Sequence, residues 1–172
     1  YSRNVQGGKY DYVFNIGADI SDFIYLGANL GISSFDYVYD ELFKESAIDP
    51  SDFQIDMANG DRMYFKDMNY RYSYSATGTG YYGKFGVIVT PGYGFRFGAA
   101  IQTPTVNNIT EEWQMSGETS YTDTGYNGYT PSPYGSGSYR MISPFRANFG
   151  LAYTLGQLGV LSADYEMCDY GQ

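Results

Sequence analysis

Residues 78–105 read GTGYYGKFGVIVTPGYGFRFGAAIQTPT, and on either side of a central turn large apolar residues alternate with small or polar ones. Alternation with a period of two places each kind of residue on its own face of a β-strand. The segment Pro91-Gly92-Tyr93-Gly94 is typical of a tight turn, so the stretch predicts an antiparallel hairpin. The apolar face would carry Tyr81, Phe85, Val87, Val89, Phe95, Phe97, Ala99 and Ile101. The other face would carry Tyr82, Lys84, Gly86, Ile88, Arg96, Gly98, Ala100 and Gln102.

Two further hairpins show the same alternation, over residues 10–33 and 145–167, so the sequence predicts six strands in three hairpins. Near Ser33 and Ser34 the phase slips, and a β-bulge is expected there. The apolar row would then continue through Phe35, Tyr37 and Tyr39. The opposite face is rich in small residues, which would leave open space beside it. These small residues are Gly27, Gly31, Gly86, Gly98, Ala100, Gly150 and Ala152.

The dimensions of the six strands favour a transmembrane barrel. A strand of about ten residues, tilted near 40°, rises about 25 Å, which matches the apolar band of an outer-membrane barrel. Very short connections alternate with very long ones, as periplasmic turns and extracellular loops do. Aromatic residues gather near strand ends, where interfacial girdles lie; they include Tyr10, Tyr12, Phe23, Tyr37, Phe95, Tyr153 and Tyr165. A soluble β-sandwich is the alternative, with the apolar row buried and the glycines allowing strong twist.

The first long connection, residues 40–75, is expected to be an extracellular loop with its own short hairpin. Asn59-Gly60 is a strong signal for a two-residue hairpin turn. Asp40 to Phe43 could begin a short helical turn that Pro50 would end. The loop is unusually apolar, so it could form a binding site for a hydrophobic ligand, or its side chains could pack on one another. The apolar candidates are Leu42, Phe43, Phe53, Ile55, Met57, Met63 and Phe65.

The second long connection, residues 105–140, is rich in Gly, Ser, Thr, Tyr and Pro. This composition predicts a solvated extracellular coil that could become ordered on contact with a partner. Trp113 and Met115 are interpreted as its large apolar anchors, and Trp113 is a further candidate ligand contact.

Charge and composition exclude several classes of function. The net charge of -9 makes nucleic acid an unsuitable partner, because phosphate binding needs clustered cations. The chain has no His, the commonest general base, so an enzyme is not expected. Cys168 is the single cysteine and lacks the companions of a metal site, so neither a metal nor another cofactor is expected. Carboxylate pairs such as Glu111 and Glu112 are interpreted as solvated charge.

Residues 78–105 resemble a signature of the OmpP1/FadL/TodX family of outer-membrane transporters, in the form seen in Bacteroidetes. Residues 10–37 and 143–170 are similar to the same family, in patterns that many barrel hairpins share. The resemblance implies an antiparallel up-and-down transmembrane β-barrel of fourteen strands with an N-terminal hatch in its lumen. The whole chain, residues 1–172, would then be a single barrel segment from inside a longer protein, because an open sheet leaves costly unpaired edges in lipid.

That family takes long-chain fatty acids and aromatic hydrocarbons across the outer membrane of Gram-negative bacteria. The resemblance therefore implies a channel for energy-independent diffusion of a hydrophobic small molecule, surrounded by outer-membrane lipid. A fatty acid head group would need a cation, and alternation places Lys84, Arg96 and Arg146 in the lumen. The same cations could instead pair with Asp164 or Glu166.

Two alternatives to a transport channel are left open. One is a non-transporting outer-membrane barrel that acts as a structural, adhesion or secretion-complex subunit, with a protein partner at the extracellular loops. The other is a soluble β-sandwich that acts as a binding module.

Overall fold

In a computed structural model, which describes residues 1–171, the chain is all-β and forms an antiparallel sheet of ten strands. The strands are β1 (Ser2–Asp19), β2 (Ile24–Ser46), β3 (Gln54–Asp56), β4 (Arg62–Gly92), β5 (Phe95–Gln102), β6 (Val106–Tyr121), β7 (Gly128–Pro131), β8 (Gly135–Ile142), β9 (Phe145–Thr154) and β10 (Val160–Asp169). Single-turn 3-10 helices cover Pro50–Asp52 and Thr124–Tyr126. No helix within residues 1–171 is long and apolar enough to cross a membrane.

The strands are ordered β1-β2-β4-β5-β9-β10 across the sheet. Strand β3 pairs with β4, and β6 pairs with β4, β7 and β8. Tight turns connect β1 to β2, β4 to β5 and β9 to β10, and positive φ angles at Asp22 (48°), Gly92 (99°) and Gly156 (57°) mark them. Strands β1 and β10 lie at the two ends of this order, so each has one neighbour in the described sheet.

The register confirms the predicted faces of the second and third hairpins. Residues directly opposite each other in an antiparallel pair share a face of the sheet. One such row across β4, β5, β9 and β10 is apolar and consists of Val87, Ala99, Phe149 and Tyr165. The adjacent row lies on the other face and consists of Gly86, Ala100, Asn148 and Glu166. The apolar and the small or polar residues are therefore separated as the sequence predicted.

Very little of the apolar face is covered by protein. The buried apolar side chains are Met63, Ala76, Ile109 and Ala147. Large side chains of the apolar rows are instead exposed at the surface of the chain: Ile16 is 74% exposed and Phe149 is 51% exposed. The chain has 12143 Å² of accessible surface, whereas a 19.2 kDa monomer with a conventional core has about 8,400 Å². The apolar rows do not form the core of a β-sandwich within this chain.

The chain divides into two compact units. Unit 1 comprises residues 1–8, 36–77 and 110–138, and unit 2 comprises residues 9–35, 78–109 and 139–172. Unit 1 contains five Lys or Arg and thirteen Asp or Glu, a net charge of -8. Unit 2 contains five Lys or Arg and six Asp or Glu, a net charge of -1. Nearly all of the net negative charge of the chain is therefore in unit 1.

The expected helical turn at Asp40 to Phe43 is wrong. Strand β2 continues to Ser46, and Pro50 begins a 3-10 helix instead of ending a helix. Pairing explains the extension, because the Ser73 hydroxyl on β4 donates a hydrogen bond to Asp40 at 2.8 Å. Contacts with a neighbouring strand outweigh the weak local preference for a helix. The hairpin around Asn59-Gly60 is confirmed, since β3 pairs with the start of β4 and Gly60 has a φ of 91°. The two-residue turn is wrong, because Asp56 lies opposite Arg62 and the Met57 amide donates to the carbonyl of Asp61, which leaves three residues, Ala58, Asn59 and Gly60, in the turn.

The expectation of coil over residues 105–140 is also wrong. Most of this range lies in β6, β7 and β8, and β7 pairs with β6 in antiparallel register. Its Thr and Tyr residues suit strands, and its glycines provide space: a Cβ added at Gly135 would overlap the indole of Trp113. The composition that suggested solvation therefore belongs to a paired sheet.

The expected bulge near Ser33 and Ser34 is contradicted by the contacts of β2. The ring of Tyr82 covers Gly31, and the ring of Phe35 covers Gly78. Gly31 and Phe35 are four residues apart along one strand, so the two contacts keep Phe35 on the face of Gly31. Alternation then places Phe35, Tyr37 and Tyr39 on the small-residue face. Aromatic character was a poor guide to the face, because glycines on the neighbouring strand make room for rings.

Candidate functional site: the small-residue face of unit 2

The small-residue face of unit 2 contains a concavity of about 610 Å³. Strands β1, β2, β4, β5, β9 and β10 all contribute to it. Residues of the small or polar face that line it are Asn15, Gly17, Tyr25, Gly27, Asn29, Lys84, Gly86, Ile88, Gly98, Ala100, Asn148, Gly150 and Asp164. The sequence predicted the small residues of this surface and Lys84. It did not single out Tyr25, Asn29 or Asn148 as site residues.

Strand register builds the floor of the concavity from small side chains. Ile88 pairs with Gly98, which pairs with Gly150 on its other side, and Gly150 pairs with Asp164. In the next row Gly86 lies opposite Ala100. Because the glycines and Ala100 of these rows project little or not at all, the surface between the larger side chains is open. A ligand could approach the backbone closely there.

Lys84 lines the concavity and forms no ion pair with the acidic side chains of residues 1–171. Its ammonium lies 5.3 Å from the centre of the Tyr82 ring, a cation–π contact. Asn29 also lines the concavity, and its Oδ1 is buried with no hydrogen-bond partner in the described part of the chain. The site thus has an unpaired cation and an unsatisfied amide, which are groups that a ligand can satisfy.

The three candidate cations have different surroundings. Arg146 donates a hydrogen bond from Nη1 to Oε1 of Glu166 at 3.2 Å, so the pairing interpretation applies to this residue. Both side chains are about half exposed, and such a pair contributes little to stability. Arg96 pairs in register with Ala152, is exposed, and does not line the concavity. Of the three, Lys84 is the candidate that the structure brings into the site.

The apolar candidates of residues 40–75 lie in unit 1, and several contact one another. The rings of Phe53 and Phe65 are 6.4 Å apart, and Phe65 is 6.3 Å from Tyr121. Ile55 lies opposite Met63, which is buried. These contacts agree with the expectation that apolar side chains of residues 40–75 pack on one another. Leu42 and Met57 are half-buried, and Phe43 is exposed. Trp113 lies on Gly135, in contact with β8.

Tyrosine hydroxyls of unit 1 bind carboxylates. Tyr74 donates a hydrogen bond to Glu111 at 2.8 Å, and Tyr39 donates to Glu41 at 2.5 Å. The guanidinium of Arg3 lies 4.8 Å from the centre of the Tyr39 ring. No group of three or more His, Cys, Asp or Glu side chains in the described range is placed to hold a metal ion. Sequence reasoning missed this tyrosine and carboxylate network. Tyr74 and Glu111 lie on different strands, whereas Tyr39 and Glu41 lie two residues apart on β2 and share a face, which is a signal that the sequence does contain.

The hydrogen bond to Glu41 raises the pKa of Tyr39 to about 12. Its contribution to stability is complete below pH 10, the ordinary value, and is lost as pH rises through about 12, because the neutral phenol is the favoured form. We expect E41Q to lower the pKa of Tyr39 toward 10, measured by NMR of ring-labelled tyrosine. E112Q is the matched control, because Glu112 raises the pKa of Tyr134 in the same way and does not contact Tyr39. A wild-type Tyr39 that titrates at 10 would contradict the geometry.

Comparison with models of known protein families gave no match for this chain, and a search among curated proteins gave no significant match.

Proposed function

We propose that the chain is a segment of a membrane-spanning β-barrel of the bacterial outer membrane, with its apolar face toward lipid and its small-residue face toward the lumen. The intact barrel would allow hydrophobic molecules, such as long-chain fatty acids or aromatic hydrocarbons, to diffuse across the membrane. One observation carries this proposal: the apolar face of unit 2 is exposed along its strands, while the opposite face is small and polar. A water-soluble protein instead buries its apolar face in the core and exposes its polar face to water.

The length of the apolar face fits the thickness of a membrane. The apolar row of β1 begins at Tyr10 and continues to Ile20, the residue that follows the strand, and on β9 the row begins at Phe145. Eleven residues at about 3.3 Å each, with a tilt near 40°, cover about 25 Å, the height of the apolar band of such barrels. The row ends in polar residues at Ser34 on β2, Thr79 on β4 and Asp169 on β10. A limited band of apolar surface is what a lipid environment requires.

The distribution of charge agrees with this placement. Unit 2, with a net charge of -1, would lie in the membrane, and unit 1, with a net charge of -8, would lie in water. Charged side chains on a lipid-facing surface are costly, by about 2–4 kcal/mol each at the midplane. The charged side chains of the membrane-spanning rows, Lys84, Arg146, Asp164 and Glu166, are on the small-residue face, away from lipid.

Closure of the barrel requires partners for β1 and β10. Each has one neighbour in the described sheet, and unpaired backbone groups in hydrocarbon cost several kcal/mol. The resemblance to fourteen-stranded transporters supports the idea that further strands of a longer chain pair with these two edges.

The first test is the intact mass of the native polypeptide together with its need for detergent. We expect a mass well above 19.2 kDa and aggregation when detergent is removed. A polypeptide of 19.2 kDa that remains monodisperse without detergent would overturn the membrane proposal and favour a soluble binding module.

A non-transporting barrel that binds a protein is the second candidate, and unit 1 supports it. Its residues are held in paired strands and carry most of the negative charge, so they offer an ordered, acidic, tyrosine-rich surface. Copurification of a defined protein partner, in a protein that does not admit hydrophobic solutes, would favour this function over transport.

A further inference from the structure

We propose that Gly31 and Gly78 set the width of the passage in unit 2, because each holds an aromatic ring against the wall that would otherwise project into the lumen. The inference rests on the proposed channel function and names specificity-determining residues within it. Its starting point is that Tyr82 and Phe35, two large side chains of the lumen face, lie directly on glycines of the neighbouring strand.

The contact between Tyr82 and Gly31 is face-on. A Cβ added at Gly31 would be 2.5 Å from both Cε1 and Cε2 of Tyr82 and closer still to Cζ. Equal distances to the two Cε atoms place that point in the plane that contains the long axis of the ring and is perpendicular to the ring. The hydroxyl is not among the three nearest atoms, so the point is above the ring and not beyond its end. The ring therefore lies flat on the backbone of β2.

Phe35 covers Gly78 in the same manner. A Cβ at Gly78 would overlap Cε1 and Cζ of Phe35 and would be 2.9 Å from Cδ1. The two contacts are reciprocal, since β2 contributes one glycine and one ring and β4 contributes the others. Gly31 and Gly78 are both buried under these rings.

The backbone does not require glycine at either position. Positive φ angles occur at Gly60, Gly92, Gly94, Gly156 and Gly159, and Gly31 and Gly78 do not have them. Glycine inside a strand costs conformational entropy and gives no side chain to pack, so another reason for its presence is needed. The overlap with the rings supplies that reason, because no other residue leaves the space that a flat ring occupies.

An alanine at Gly31 must therefore push the Tyr82 ring away from the wall. The backbone blocks one side of the ring, so the ring moves toward the open side of this face, which is the lumen in the proposed channel. Lys84 would be affected as well, since its ammonium lies 5.3 Å from the centre of the same ring. The passage becomes narrower next to the candidate cation.

Gly27 provides a matched control. It lies on the same strand and the same face as Gly31, four residues away, and a Cβ added there meets nothing within 4 Å. G27A and G31A thus make the same chemical change, in the same kind of backbone, and differ in whether a ring is displaced.

The test uses the intact protein reconstituted in liposomes, with influx of neutral solutes of increasing size as the measurement. We expect G31A to lower influx of the largest admitted solute about fivefold, equivalent to roughly 1 kcal/mol, the lower end of the cost of overpacking. G27A adds a methyl group to the same face without displacing a ring, so it should lower influx much less than G31A. Y82A should admit larger solutes, and the double variant G31A/Y82A should behave like Y82A alone, because no ring remains to be displaced.

The possible outcomes distinguish failure of the channel function from failure of the inference about the glycines and the aromatic rings. A wild-type protein that admits no solute overturns the channel function and this inference with it. A wild-type channel in which G31A and G27A have equal influx overturns the inference alone. If G31A fails to fold, Y82A decides, since unchanged size selection in Y82A would show that the ring does not limit the passage.

Discussion

Replacing Phe149 with arginine is expected to destabilise the intact protein in a bilayer by about 2–4 kcal/mol, the cost of a cation at the lipid-facing midplane of a barrel. Phe149 lies in the middle of the apolar row of β9, between Ala99 of β5 and Tyr165 of β10. It is 51% exposed, so the change opens no cavity in the protein. Unfolding by denaturant in lipid vesicles measures the difference in free energy.

N148R is the matched control for this substitution. Asn148 is adjacent in sequence but lies on the other face of β9, opposite Ala100 and Glu166. A cation there would face the lumen of the proposed barrel, next to a carboxylate, and we expect a change within about 0.5 kcal/mol, as for an ordinary exposed site. If both substitutions were equally mild, the apolar face would be in contact with water, and the membrane proposal would fail. A soluble protein is expected to give that result.

The faces of the hairpins could be predicted from sequence because the information is local. Alternation over residues 81–89 and 95–101, with a tight turn between them, determines both the pairing and the sides on which side chains lie. The register of β5 with β9 follows the same rule across a longer separation. Small residues on one face of each strand predicted the open surface, and Lys84 was predicted on it.

The failures all concern contacts with a neighbouring strand that the sequence does not specify. Phe35 was assigned to the apolar row by its chemistry, but Gly78, which makes room for its ring, is distant in the chain. Residues 105–140 have the composition of a solvated loop, yet β6 gains its hydrogen bonds from β4, β7 and β8. Asp40 to Phe43 carry weak helical preferences that pairing outweighs. Composition gives the preference of a residue for a structure, whereas register determines which residue on the next strand it contacts. The errors occurred where that preference and that contact favour different structures.

The candidate site shows the same division. Alternation alone placed Lys84, Arg96 and Arg146 on one face, but their different roles depend on positions across the sheet. Arg146 is opposite Cys168 and reaches Glu166, while Lys84 is opposite Gln102 and has no acidic partner within residues 1–171. Three equivalent candidates in the sequence thus become one paired cation, one peripheral cation and one unpaired cation in the concavity.

Reversing the charge of Lys84 is expected to reduce uptake of a long-chain fatty acid by the intact protein about tenfold or more, because like charges in close proximity cost several kcal/mol. K84E leaves a carboxylate beside the path of an anionic head group, in a concavity where Asp164 is already present. Uptake of radiolabelled fatty acid into reconstituted vesicles gives the rate. K84R should retain most of the uptake, since the positive charge is kept.

A neutral aromatic hydrocarbon separates an electrostatic role of Lys84 from a structural one. If Lys84 contacts the head group, K84E should slow the fatty acid much more than the neutral solute, which has no charge to repel. If the cation–π contact with Tyr82 only positions the ring, K84E and K84R should alter both solutes alike through the width of the passage. Unchanged fatty acid uptake in K84E would remove Lys84 from the ligand path, and the small-residue floor would then be the part of the site that acts on the solute.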